Sequence, residues 1–182
     1  MQHQRKAVPT ESLDPALTEV SRQVIGASIE IHKTLGPGFD RSVYVGALTS
    51  ELEAAGIPYA VDHKFPVRYK GREVGQATIG LYVNNRFAVE PMAEHREIDG
   101  LDRTVLRAKL RAADLELGLI INFGERRLKD GLVRVLNPDK LEAQAAAAAA
   151  SAPANAPGEF TPPSEPTMPA APAPAAEPGE AE

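Results

Sequence analysis

Glu90, Glu94 and His95 fall within six residues, in the stretch FAVEPMAEHREIDG. Carboxylates and imidazole at that density are the side chains that surround a divalent cation. Glu30, Asp62 or His63 could complete such a set. The competing reading makes EHREIDG a solvated loop with no ligand in it. With no cysteine in the chain, a thiolate metal site is excluded. A second group is cationic: Arg103, Arg107 and Arg111 recur every four residues. Like charges at that helical spacing repel by a few tenths of a kcal/mol per pair. Either a phosphate-bearing ligand or acidic neighbours must relieve them. Lys64, Arg68, Lys70 and Arg72 crowd around one turn and pose the same choice.

Helices and strands that carry these groups can be read from the sequence. Asp14-Pro15 reads as a cap followed by proline at the first helical position. Leu17, Val20, Val24, Ala27 and Ile31 then recur at helical spacing, and Gly36-Pro37-Gly38 ends the helix. Glu30 and His32, late in that helix, are expected to orient the loop at Gly36. A second helix is predicted from about Asp40 to Gly56, with Tyr44, Leu48, Leu52 and Ala55 on one face. Extended segments follow: IPYAVDHKFPVRY, a Lys70-Gly71 turn, EVGQATIGLYV, an Asn84-Asn85 turn, and RFAVEPM. Alternation puts Ala77, Ile79, Leu81 and Val83 on one face of the middle strand, and Thr78, Gly80 and Tyr82 on the other. Pro91 lacks a ladder donor, which predicts an edge strand or a local distortion. A third helix is expected over about Leu101–Ala113. LELGLIINF is a continuous apolar run, as in a strand covered on both faces, and LVRVL is a short last strand. The fold class is α/β (α+β), a central sheet flanked by helices.

Composition divides the chain. Residues 143–182 carry five glutamates and no Lys or Arg, so the rest of the chain, with 20 acidic and 20 basic residues, is neutral. That is not the footprint of a strongly basic nucleic-acid binder. The Ala/Pro-rich stretch 143–182 holds too little apolar surface to offset ordering entropy. It is expected to be a disordered tail, apart from an alanine run able to prolong a helix. The predicted organisation is a flexible N-terminus over 1–13, a domain over 14–142 and the tail. No run of about 18 apolar residues suggests a membrane span, and the first residues lack a secretory h-region. The expectation is therefore a cytoplasmic protein with no membrane association.

Several segments, in order, carry a resemblance: ASIEIHKTLGPGF, SVY, VRYKGREVG, LYVNNRFAVE and LGLIINFG. Over about Val20 to Asn137 the chain resembles the GxxExxY proteins, which are similar to the PD-(D/E)XK nuclease superfamily. The resemblance implies a restriction-endonuclease-like fold with a central mixed sheet. It also implies metal-assisted phosphodiester hydrolysis, in which carboxylates hold Mg²⁺, the ion activates a water, and a lysine orients that water.

The family's chemical positions, carried over one by one, are mostly substituted. The motif that names the family reads GFDRSVY, so its glutamate is Arg41. Its aspartate is Gly80. Its Glu-x-Lys pair is Glu90-Pro91-Met92, and its helical glutamine is Val105. Glu90 alone survives. Arg41, Gly80, Glu90 and Met92 sum to zero charge, where Glu, Asp, Glu and Lys would sum to −2. One carboxylate beside a soft thioether is a poor Mg²⁺ site. The expectation is a nuclease fold without catalysis, kept as a binding or scaffold module for an unknown protein partner or nucleic acid. Arg41 is expected to take the metal's place and pair with Glu90, and Arg103, Arg107 and Arg111 are the candidate phosphate contacts. The alternative is an active nuclease with relocated ligands Glu90, Glu94 and His95, and only that reading needs Mg²⁺.

Overall fold

The computed structural model describes residues 14–151. Helix α1 (Pro15–Leu35) starts where Asp14 accepts the Ala16 N–H and ends at Gly36, whose φ of 70° suits glycine. Helix α2 (Arg41–Ala54) follows the GPGF loop. Three strands come next: β1 (Tyr59–Tyr69), β2 (Arg72–Val83) and β3 (Phe87–Met92). Helix α3 (Gly100–Ala112) then crosses to β4 (Leu117–Asn122). A 3₁₀ turn leads into β5 (Leu132–Leu136) and helix α4 (Pro138–Ser151). The five strands lie in chain order in one mixed sheet. The β3–β4 pair is parallel and the other three are antiparallel. The sheet flanked by helices is the α+β, restriction-endonuclease-like architecture expected from the resemblance.

Two apolar layers hold the sheet. On one face Leu81, Val83, Val89, Leu117, Leu119 and Ile121 pack against Leu17, Val24 and Ile31 of α1 and Tyr44 and Leu48 of α2. On the other, Ile79, Ala88 and Ile120 pack against Leu106 and Leu110 of α3. All six residues of β4 are buried, as its unbroken apolar run predicts. Gly118 lets α3 approach, since a Cβ there would meet Leu106 at 3.0 Å.

Two expectations need correction. Ile79 packs under α3 and not beside Leu81 and Val83. Between the pairs Val61↔Leu81 and His63↔Ile79, Asp62 adopts a φ of 48°. That left-handed residue breaks the regular pleat, so alternation does not carry across Gly80. Pro91 is not on an edge strand either, because β3 lies between β2 and β4. Its missing donor costs no ladder bond to β2, whose pairing with β3 stops at Leu81↔Val89. The alanine run is helical through Ser151, because alanine has the highest helix propensity. The rest of the expected tail and the N-terminal 1–13 lie outside the described residues. No helix among the described residues is long and apolar enough to cross a membrane.

Candidate active site

Where the β2–β3 ladder ends, a guanidinium fills the gap. Arg41, the first residue of α2, donates from Nε to the Pro91 carbonyl at 3.0 Å. Its Nη2 lies 3.4 Å from Asp62 Oδ1. A Cβ built on Gly80 would stand 2.5 Å from that Nη2 and 2.9 Å from Glu90 Oε1. Arg41, Gly80 and Glu90 therefore converge on one point. The absent side chain of residue 80 is what makes room for the arginine.

The charge pairing differs from the expected one. Arg41 pairs with Asp62, and Glu90 pairs with Lys109 of α3, Nζ to Oε2 at 2.7 Å. Arg41 and Glu90 flank one point without an ion pair of their own. The physical reason is reach: Arg41 is held by the Pro91 carbonyl and turns to β1, leaving Glu90 open to α3. Both Glu90 and Lys109 are about one-fifth exposed, so water screens the pair only partly. The sequence reading missed Lys109. Its signal was its place three residues after the buried Leu106 and one before the buried Leu110, at the inner edge of the helix.

The remaining candidates scatter. Val105 is 46 % exposed on α3, one turn before Lys109, and Met92 is half-buried on β3. Glu94 is engaged by Arg96 at 2.6 Å, and His95 is exposed. The loop carrying them is less free than a solvated one. The buried Asn122 side chain accepts from the Glu94 and Gly124 N–H groups and donates to the carbonyls of Glu94 and Arg96. Arg96 also forks onto Asp102 at 2.6 and 2.9 Å. That guanidinium, before the other causes, holds the Asp102 carboxyl at about 2. His32 does not act on the Gly36 loop through its side chain. Its Nε2 meets the Glu125 carbonyl at 2.8 Å, while Tyr44 donates to the Gly36 carbonyl and accepts from the Phe39 N–H. Glu30 sits 3.6 Å from Lys33 on the exposed side of α1. Of the three arginines, Arg111 is taken by Asp139 at 2.6 Å, and Arg103 and Arg107 have no carboxylate partner among the described residues.

These residues do not fit a divalent metal. Around Glu90 stand the Arg41 guanidinium, the Lys109 ammonium and a glycine with no side chain, none of them an oxygen donor, and the nearby Asp62 carboxylate is turned to Arg41. Among the described residues no group of three or more His, Asp or Glu is placed to hold an ion. Comparisons with curated proteins and with solved structures give no match to this chain. A family model described as the PD-(D/E)XK nuclease superfamily matches residues 18–135, from α1 into β5. By that match over most of its described fold, the chain belongs to the PD-(D/E)XK nuclease superfamily.

Proposed function

We propose that this is a GxxExxY-type member of the superfamily whose nuclease site is silent and whose fold serves as a binding or scaffold module. One observation carries the reading: the Arg41 guanidinium occupies the place of a side chain on residue 80, 2.5 Å from its Cβ position. A permanent cation at the former ligand position opposes a divalent ion by charge as well as by volume. Pairing of Glu90 with Lys109 removes the one surviving carboxylate from that work. The reading needs no cofactor.

The test is cleavage of single- and double-stranded DNA and RNA in Mg²⁺ and in Mn²⁺. The expected result is no cleavage above a buffer control. Cleavage that disappears in Glu90→Ala would contradict the reading and favour the metal-dependent alternative built on Glu90, Glu94 and His95.

A further inference from the structure

We infer that the free end of the β1–β2 ribbon is a docking arm for duplex DNA, inserted in the major groove and held mainly through phosphates. The inference rests on the binding-module reading and names its partner. Because β2 pairs with β3 only over Leu81–Val83, the hairpin from His63↔Ile79 out to Tyr69↔Arg72 has no third strand. Helix α3 covers its base through Phe65 and Ile79. Every residue from Arg68 to Gln76 is exposed. A bare two-stranded ribbon is marginally stable in water, so eleven- and twelve-residue strands reaching past the core call for a partner.

Charge identifies that partner. The ribbon from His63 to Ile79 carries Lys64, Arg68, Lys70 and Arg72 against the single acid Glu73, while the rest of the domain, residues 14–142, holds more acids than bases. None of the four cations has a carboxylate partner among the described residues, and Lys70 lies over the Tyr69 ring at 5.5 Å. The large apolar side chains exposed on the ribbon are Tyr69 and Val74, too few for a protein interface of roughly 800 Å² per side. Strand addition by a protein is also disfavoured along β1. Pro66 has no N–H, the ladder bulges at Val67/Arg68, and Asp62 has a left-handed φ. A two-stranded ribbon does fit the B-form major groove, about 12 Å wide, and not the deep, narrow groove of A-form RNA.

The experiment is fluorescence anisotropy of a short labelled DNA duplex with the full chain, in EDTA so that cleavage cannot enter, across a salt series. Four phosphate contacts should give a slope of log Kobs on log salt of about −3 to −4. Arg68→Ala/Arg72→Ala should reduce the slope by about 2 while leaving the thermal midpoint unchanged. Arg103→Ala/Arg107→Ala should leave the slope as it was. Absent binding, binding indifferent to the Arg68/Arg72 change, or equal affinity for an RNA duplex or poly-glutamate would overturn the proposal. A chain that binds no DNA and cleaves none sinks the arm and leaves the silent site standing. Metal-dependent cleavage with the arm's salt slope intact does the reverse.

Discussion

Arg41 and Gly80 are complementary: the guanidinium Nη2 stands 2.5 Å from where a Cβ on residue 80 would be. Each residue makes sense through the other. A glycine vacates the space, and the arginine fills it, capping the Pro91 carbonyl that the end of the β2–β3 ladder leaves without a strand partner.

Adding a methyl group at residue 80 should therefore displace Arg41 more than it unfolds the chain. The nearest atoms are the far ends of flexible side chains, with Pro91 Cδ next at 3.1 Å. Gly80→Ala should cost about 1 kcal/mol, falling toward zero in an Arg41→Ala background. A chemical-denaturation double-mutant cycle measures the coupling, and additive effects would contradict the contact.

Glu90 and Lys109 form a partly screened pair linking β3 to α3. Lys109→Met should cost about 2 kcal/mol, because it strips a half-buried carboxylate of its partner. Glu90→Gln/Lys109→Met should recover part of that loss. Equal destabilisation of the single and double variants, by thermal or denaturant unfolding, would show that the pair is not coupled.

Asn122 is fully buried and serves four backbone groups of the loops after β3 and β4. Asn122→Ala should cost about 3 kcal/mol by leaving several of them without partners. Hydrogen exchange should speed up at Glu94 and Gly124 before the core of β4. Unchanged exchange at both amides would contradict the assignment.

Asp102 should contribute an acid-labile part of stability. Its carboxyl is lowered from 3.8 to about 2 in the folded chain by Arg96. A depressed carboxylate stabilises above its unfolded value, and the contribution fades as pH falls through the folded one. Wild type should thus exceed Asp102→Asn in stability at neutral pH, with the gap closing between about pH 4 and pH 2. A gap that persists at pH 2 would assign the effect to shape alone.

Elements were legible where local chemistry decides them. The Asp14-Pro15 start, the stop at Gly36 and the apolar run of β4 read directly into structure. The face of Ile79 was not legible, because it depends on the backbone of Asp62 one strand away. Nor was the central place of β3, since pairing with β4 is a parallel contact made across a helix. At the site, the structure brings Arg41, Gly80 and Glu90, which are far apart in the chain, to one point. Who pairs with whom was hidden, because Lys109 and Asp62 reach the site from α3 and β1, 19 and 21 residues from the partners they hold.

A silent site requires that the wild-type chain hold no divalent ion there. A Mn²⁺ titration of the purified chain, read by electron paramagnetic resonance of the free ion, tests it most directly. No saturable site should be seen at millimolar Mn²⁺, and one site should appear in Arg41→Glu/Gly80→Asp/Met92→Lys. A single stoichiometric site in the wild type, lost in Glu90→Ala, would contradict it.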